Sequence, residues 1–369
     1  MGNKNRYSNI DLLRIVAMLF IIIHHLIING IGWTDITSNN IADNYSLCVI
    51  GGGIESFVII GVNLFLMISG YFQIHFAWKK WLKLFLTLYV YMFCIQLFGI
   101  IIGYQQFNME VFKRIVLPFE LYWYLKVYMV LMLVSPILNR LIEGTNERIA
   151  KYFLLVFFVV FCLYCFLDNS EHLGFGRGYS FLSACCWYLL GALIKKGLIF
   201  YKGNWSKKKC MVIYLIAALV NTIGIQLAIN ILHSGKLAGV LLVYNNPLVA
   251  IETIFLFLFF AKLQINENSR YASLIKYLGQ NTLAVYILHS SNRVLNYYRD
   301  IPLQGMIESN QVILAYIFVF IYAVVIFVIC TFIDKLYEKT LGRIIGLISS
   351  WVGNLLTTLQ EKLIDSNKL

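Results

Sequence analysis

The chain has 369 residues, of which 60% are hydrophobic and only 13% are charged. Soluble globular domains carry about 25% charged residues, so this composition excludes a soluble enzyme, a disordered protein and a secreted disulfide scaffold. It fits a polytopic membrane protein. The formal charge of +12 would suggest binding to nucleic acid in a soluble chain, but the positions of the charges support a different interpretation.

Ten segments of the chain are apolar over a length close to the roughly 20 residues needed to cross a bilayer. In chain order they are residues 10–28, 53–71, 81–103, 121–141, 152–167, 179–194, 210–232, 246–261, 279–297 and 311–332. The fifth, sixth and eighth segments are short, and the ninth contains several polar residues. We therefore predict an all-α fold, with one bundle of about ten transmembrane helices within residues 1–334.

Most of the 30 Lys and Arg residues fall in loops on the same side of these segments as the N-terminus. Cytoplasmic loops of membrane proteins carry an excess of Lys and Arg. We therefore predict that both termini are cytoplasmic and that the protein spans the inner (cytoplasmic) cell membrane. The same bias accounts for the positive net charge without a nucleic-acid partner.

Residues 335–369 are predicted to form a separate unit, a cytoplasmic amphipathic helix. Its apolar residues recur at three- and four-residue spacing with polar residues between them, and they are Leu341, Ile344, Ile348, Trp351, Leu355, Leu359 and Leu363. Such a helix lies on a membrane surface or packs against the bundle or a second subunit. The sequence leaves these alternatives open.

The first predicted span contains four ionisable residues, Asp11, Arg14, His24 and His25. Such residues are costly inside a bilayer and are therefore functional candidates. In a helix, one face holds Arg14, Met18, Ile21 and His25, and Arg14 and His25 lie about 16 Å apart along the axis. His24 points about 80° away from Arg14. Asp11 lies one turn before Arg14 and can pair with it. A long donor with a phosphate at Arg14 would reach His25, a natural general base. The alternative is an interfacial ion pair, with histidines that only satisfy hydrogen bonds between helices.

Five segments resemble, in order, motifs of the membrane-bound acyltransferase 3 family. They are residues 9–17 (NIDLLRIVA, with His25 following Arg14 by eleven positions), 61–71 (GVNLFLMISGY), 79–84 (KKWLKL), 122–125 (YWYL) and 279–289 (GQNTLAVYILH). The resemblance implies a ten-helix enzyme that transfers an acyl group, usually acetyl from acetyl-CoA, to a carbohydrate hydroxyl. It also implies that His25 is the essential catalytic residue and that Arg14, Lys80 and Lys83 help to hold the donor.

The basic motif departs from the family pattern in two respects. Lysines replace its arginines, so the charge is kept but the bidentate fork for phosphate is lost. The proline that commonly follows the motif is also absent, and Leu84, Phe85 and Leu86 occupy that region.

The predicted site combines these residues with polar and aromatic residues elsewhere in the spans. The predicted catalytic residues are His25, Arg14 and Asp11. The predicted donor-binding residues are Arg14, Lys79, Lys80, Lys83, Ser69 and Tyr71. The predicted acceptor-binding residues are Trp123, Tyr122, Glu252 and His289. Ordinary membrane anchoring explains the lysines equally well from sequence alone, and an aromatic belt explains Tyr122 and Trp123.

We predict no metal site, because the C-x-x-C pair of Cys162 and Cys165 lacks a second pair or a nearby histidine. The predicted function is O-acetyl transfer from acetyl-CoA, a co-substrate, to an extracytoplasmic glycan such as a capsule, an exopolysaccharide or another envelope carbohydrate. Its predicted partners are the lipid bilayer and the carbohydrate acceptor, and a homodimer or a complex with glycan-assembly machinery stays open. The alternatives are O-succinyl transfer, a polysaccharide or lipid-linked glycan flippase and, third, a polysaccharide polymerase.

Overall fold

The structure is a computed structural model that describes residues 7–39, 41–117, 122–168, 173–201, 203, 205–291, 294 and 303–365. Within these residues the protein is helical and contains no β-strand. The predicted all-α class is therefore confirmed.

The α-helices follow one another through short connections. In chain order they are α1 (Ser8–His25), α2 (Trp33–Asn39), α3 (Tyr45–Val58), α4 (Gly61–Tyr71), α5 (Trp78–Ile101), α6 (Met109–Val116), α7 (Trp123–Gly144), α8 (Glu147–Val156), α9 (Cys165–Asp168), α10 (Phe181–Lys195), α11 (Lys207–Asn230), α12 (Gly235–Val240), α13 (Pro247–Ala261), α14 (Arg270–Gly279), α15 (Thr282–His289), α16 (Leu303–Glu308), α17 (Val312–Lys339) and α18 (Leu341–Asp365). Two π-helical segments, Leu26–Ile31 and Phe157–Tyr164, extend α1 and α8.

Seven helical segments of the described chain are long and apolar enough to cross a membrane. They are Ser8–Ile31, Tyr45–Tyr71, Trp78–Ile101, Trp123–Gly144, Glu147–Asp168, Lys207–Asn230 and Val312–Lys339. Helices α10 and α13 are apolar but shorter, and α15 has eight residues. Part of the ninth predicted segment, residues 279–297, lies outside the described residues. The count of ten crossings and the cytoplasmic termini therefore stay predictions.

Helix α1 lies at the centre of the bundle, where it packs against α3, α4, α13, α14, α15 and α17. Its side chains at Leu13, Ala17 and Ile22 are fully buried. We call the side of the bundle at which α1 begins the proximal side, and the side at which α1 ends the distal side.

Two glycines allow α4 and α10 to pack closely. A Cβ atom at Gly70 would lie 1.8 Å from the carbonyl oxygen of Tyr188, and one at Gly191 would lie 2.1 Å from that of Met67. Small residues permit this kind of backbone approach between membrane helices. The packing of α4 against α10 holds the segment that carries Ser69 and Tyr71.

The beginning of α1 is fixed by the loop between α13 and α14. The Ser8 backbone N–H and hydroxyl donate to the two carboxylate oxygens of Glu267 at 3.0 and 2.6 Å, and Lys276 Nζ lies 2.8 Å from the same carboxylate. The hydrogen bonds from Lys276 and Ser8 lower the pKa of Glu267 below its usual value. Through these contacts the ends of α1 and α14 are held together on the proximal side.

Helix α18 packs against α5, so the predicted C-terminal helix does contact the bundle. Lys79 Nζ donates to Ser350 Oγ at 2.9 Å, and a Cβ atom at Gly353 would lie 2.7 Å from the backbone nitrogen of Lys79. The predicted apolar residues of this helix stay exposed instead, with Trp351 74% accessible. The predicted boundary at residue 334 lies inside α17, which continues to Lys339.

Candidate active site

A cavity of about 540 Å³ opens beside the first half of α1. Arg14, Met18 and Ile21 of α1 line it, as the shared helical face predicts. The remaining lining residues come from α4, α5, α7, α14, α15 and the segments after α4 and α14, and they are Val62, Phe65, Ile68, Ser69, Phe72, Gln73, Ile74, His75, Lys80, Tyr124, Tyr128, Met132, Gly279, Gln280, Thr282, Leu283 and Tyr286. We call this space the proximal cavity.

Arg14 faces the proximal cavity, and an ion pair with Asp11, on the side away from the cavity, fixes its orientation. The guanidinium group pairs with the Asp11 carboxylate and lies 5.2 Å from the centre of the Phe72 ring. Asp11 is fully buried, whereas the Arg14 side chain is 23% exposed. Removing one member of a buried ion pair typically costs about 3–5 kcal/mol. Asp11 does not line the cavity, so its contact with the cavity runs through Arg14.

The other predicted donor-binding residues divide into two groups. Ser69 and Lys80 line the proximal cavity, whereas Lys79, Lys83 and Tyr71 do not. Lys79 donates a hydrogen bond to Ser350 of α18. The side chain of Lys83 is exposed, and the Tyr71 ring packs in a T-shaped contact on the ring of Phe257. Their proposed contact with the donor stays a prediction.

Sequence reasoning did not assign several polar residues of this cavity to the site, among them His75, Tyr128 and Gln280. His75 and Gln280 line it, as does Tyr128, one helical turn after Tyr124. Gln280 lies within the late motif at residues 279–289, so this motif is the feature of the sequence that indicates it. His75 follows α4 in an irregular segment, where no periodic pattern indicates which way a side chain points.

His25 lies beyond the inner end of the proximal cavity and contacts His289 of α15. His25 Nδ1 is 3.2 Å from His289 Nε2, and His289 Nδ1 is 2.6 Å from the carbonyl oxygen of Val285. Because a carbonyl oxygen only accepts hydrogen bonds, His289 carries its proton on Nδ1. A neutral His289 then accepts at Nε2 from His25 Nδ1–H, and the Ser290 hydroxyl oxygen lies 3.2 Å from His289 Nε2 and 3.4 Å from His25 Nδ1. With its proton on Nδ1, His25 has a lone pair on Nε2 that is available to take a proton.

A second cavity, of about 20 Å³, lies next to His25 on the distal side. His24, His25, Trp123 and Tyr244 line it, and we call it the distal cavity. A space of this size holds about one water-sized group. The two cavities share three lining residues, which are Ile21, Val62 and Tyr286. His25 therefore lies where the two cavities approach each other.

His24 points away from Arg14, as predicted, and binds a carboxylate that the sequence analysis overlooked. His24 Nδ1 lies 2.7 Å from Glu55 Oε2, and Glu55 is fully buried. Glu55 belongs to α3, within a membrane-spanning segment. A carboxylate in such a segment is a functional candidate by default, so this signal was present in the sequence.

Trp123 lies at the distal end of α7 in a cluster of three aromatic rings. Its ring centre is 4.8 Å from that of Tyr179 and 5.9 Å from that of Tyr244, and the two tyrosine rings are 4.6 Å apart. Tyr122 takes a different direction, because its hydroxyl donates to the carbonyl oxygen of Ile287 at 2.8 Å. Tyr122 thus positions α15 and does not line either cavity.

Comparison with known proteins adds one finding to this geometry. A family model described as an acyltransferase domain matches residues 7–332, nearly the whole chain. The chain belongs to the acyltransferase 3 family. The resemblance seen in the sequence motifs is therefore confirmed. No curated protein and no solved structure matched the chain.

In this acyltransferase, the structure brings together Arg14, Ser69, Lys80, His25, His289 and Trp123 around the two cavities and their junction. It does not bring Glu252 to either cavity. Glu252 is fully buried on α13, and within the described residues neither of its carboxylate oxygens has a hydrogen-bond partner. Among the described residues, no group of three or more His, Cys, Asp or Glu side chains is arranged to hold a metal ion.

Proposed function

We propose that this acyltransferase moves an acetyl group from cytoplasmic acetyl-CoA to a hydroxyl of an extracytoplasmic glycan. One observation carries the proposal: a large cavity with cationic groups and a small cavity with aromatic groups meet at His25. A donor that enters from one side of the membrane and an acceptor from the other need such a junction at depth.

The proximal cavity fits the chemistry of a CoA thioester. Arg14 and Lys80 supply positive charge for its phosphates, and His75 adds a polar group at the rim, where it is exposed. Met18, Ile21 and other apolar side chains line the deeper part, which suits the uncharged arm that carries the thioester. Helical geometry puts about 16 Å between Arg14 and His25, a separation that an extended arm spans.

His25 acts as the general base in this proposal. Its Nε2 takes the proton of the acceptor hydroxyl while the hydroxyl oxygen attacks the thioester carbonyl carbon. The carbon–sulfur bond then breaks, and His25 returns the proton to the departing thiolate. The products are the ester and free CoA thiol, so the base is regenerated without an added proton donor or a metal.

His289 supports this role by fixing the tautomer of His25. Its Nδ1 is committed to the Val285 carbonyl, so its Nε2 receives the Nδ1 proton of His25. The orientation of a general base by a second group recurs in nucleophilic catalysis. Asp11 acts in the same manner on Arg14, with which it pairs, and we treat both Asp11 and His289 as positioning residues.

The test is transfer of label from radiolabelled acetyl-CoA in membranes that contain the wild type or the His25→Ala variant. We expect label in the glycan or lipid-linked sugar fraction with the wild type, and a loss of about 10²- to 10⁴-fold with His25→Ala, the usual contribution of a general base. The variant is expected to keep its binding of CoA. His233→Ala is the matched control, because His233 is exposed and lines neither cavity.

Three other outcomes discriminate the alternatives. Label transferred from succinyl-CoA but not from acetyl-CoA indicates an O-succinyltransferase. Absence of both transfer and CoA binding in the purified wild type contradicts the acyl-transfer proposal and favours the glycan flippase. Equal transfer by the wild type and His25→Ala contradicts the role assigned to His25 but leaves the acyl-transfer proposal standing.

A further inference from the structure

The three rings of Trp123, Tyr179 and Tyr244, here called the aromatic cluster, connect the distal surface to the distal cavity. Tyr179 is 43% exposed, while Tyr244 is only 4% exposed. Trp123 and Tyr244 line the distal cavity, and the Tyr179 ring, which does not line it, contacts both of them at tilted angles of 58° and 48°. A ring-shaped ligand that arrives from the distal side therefore meets Tyr179 first and the cavity last.

The aromatic cluster is held in place by its backbone. Gly178 has a φ of +95°, and a Cβ atom there would lie 2.4 Å from Tyr244 Cβ. The chain can pass so close to Tyr244 only because residue 178 has no side chain. In addition, Asn63 Nδ2 donates to the backbone carbonyl oxygen of Tyr244 at 3.0 Å. These contacts give a preformed surface, which reduces the cost of ordering on binding.

Glu55 supplies a polar group beneath this surface. Its Oε2 is bound to His24, whereas within the described residues its buried Oε1 has no hydrogen-bond partner. Glu55 is fully buried and lines neither cavity. Its part in the subsite is therefore to hold His24 at the wall of the distal cavity.

We infer that the aromatic cluster and the Glu55–His24 pair form the acceptor subsite and that this subsite takes a pyranose ring. The ring stacks on the aromatic cluster, because the distal cavity holds only about one water-sized group. One hydroxyl of the ring enters that cavity beside His25. The inference rests on the proposed function and adds the recognition of the sugar ring to it.

The experiment compares acceptors and variants in purified full-length protein in nanodiscs. The probes are methyl glucopyranoside, methyl galactopyranoside and methyl mannopyranoside, with propylene glycol as the hydroxyl donor that lacks a ring. The variants are Tyr179→Leu, which removes the exposed ring, and Tyr179→Phe, which keeps it. Tyr45→Leu is the control, because Tyr45 is an exposed tyrosine at the start of α3 that lines neither cavity.

We expect the wild type to acetylate at least one glycoside in preference to propylene glycol. Tyr179→Leu should raise the KM for that glycoside by about three- to tenfold, the range expected from loss of one aromatic contact, and should leave the KM for acetyl-CoA unchanged. Tyr179→Phe, which keeps the ring, should recover most of the lost affinity for the glycoside, and Tyr45→Leu should behave like the wild type.

An unchanged glycoside KM in Tyr179→Leu overturns the inference, as does equal use of propylene glycol and the glycosides by the wild type. A wild type that binds CoA and acetylates none of the glycosides also overturns it. These outcomes differ from failure of the proposed function, in which the wild type neither binds CoA nor transfers acetyl to any acceptor.

Discussion

Replacing His289 with leucine removes the nearer hydrogen-bond partner of His25 Nδ1 without changing the lining of either cavity. The Nδ1–H of His25 then keeps only the longer contact with Ser290 Oγ at 3.4 Å, so the cost of an unsatisfied donor sets the upper limit of the effect. An unsatisfied buried donor costs about 1–3 kcal/mol, which corresponds to a factor of about 5 to 150. We expect kcat for acetyl transfer to fall by up to that factor in His289→Leu. The KM for acetyl-CoA should stay within about twofold, because His289 lies beyond the proximal cavity.

The assay is the initial rate of radiolabel transfer from acetyl-CoA to an accepted glycoside, measured against the concentration of each substrate. His289→Gln is the conservative control, because the amide oxygen of glutamine accepts a hydrogen bond near the position of His289 Nε2. We expect it to recover most of the lost kcat. A wild-type kcat in His289→Leu refutes the relay from Val285 through His289 to His25. A raised acetyl-CoA KM with unchanged kcat would instead assign His289 to donor binding.

Three further predictions follow from the proximal side of the bundle. Lys80→Ala should raise the KM for acetyl-CoA by about tenfold, the loss expected for a single charge-assisted contact. Lys83→Ala should change this KM little, because Lys80 lines the cavity and Lys83 does not. Equal effects of the two substitutions contradict the assignment of Lys80 to the donor site. Gly279→Ala should lower the unfolding temperature, because the added Cβ atom would lie 2.8 Å from Asp11 Cβ. Overpacking of this kind typically costs about 1–3 kcal/mol. An unchanged melting curve contradicts this prediction. The pKa of Glu267 is lowered in the folded protein, so its contribution is present above the unfolded value of about 4.3 and is lost as pH falls through the folded value. Glu267→Gln should therefore melt earlier than the wild type at pH 7, and the difference should shrink in melting curves recorded as the pH falls below about 4.3. A difference of unchanged size over that range refutes the role of the carboxylate charge.

The first helix shows how far helical geometry alone carries a prediction. The spacing of Arg14, Met18 and Ile21 predicts one face, and all three line the proximal cavity. The Asp11–Arg14 pair and the different direction of His24 also follow from the helical repeat, and both are observed. These features depend on residues within a few turns of one another, so the sequence contains the information they need.

Contacts between helices that lie far apart in the sequence could not be predicted from helical geometry. His25 and His289 are separated by 264 positions, and the sequence predicted His289 as an acceptor-binding residue without indicating a contact with His25. Its contact with His25 depends on how α15 packs beside α1. The same reason applies to Glu55 and His24, which come from different helices.

The C-terminal helix illustrates a second limit. Apolar spacing predicts an amphipathic helix, and α18 is helical over Leu341–Asp365. The side that packs on α5 is formed by small residues, including Ser349 and Gly353, which are buried. Hydropathy gives these residues little weight, although close backbone approach depends on them. A hydropathy pattern therefore identifies the helix without identifying its contact face.

The central claim is that donor and acceptor reach His25 from opposite sides of the membrane. The most direct test uses proteoliposomes with the glycoside accepted by the wild type trapped inside and radiolabelled acetyl-CoA added outside. We predict label on the trapped glycoside in vesicles that contain the wild type, none with His25→Ala, and wild-type levels with His233→Ala. Transfer that requires both substrates in the same compartment would contradict the claim.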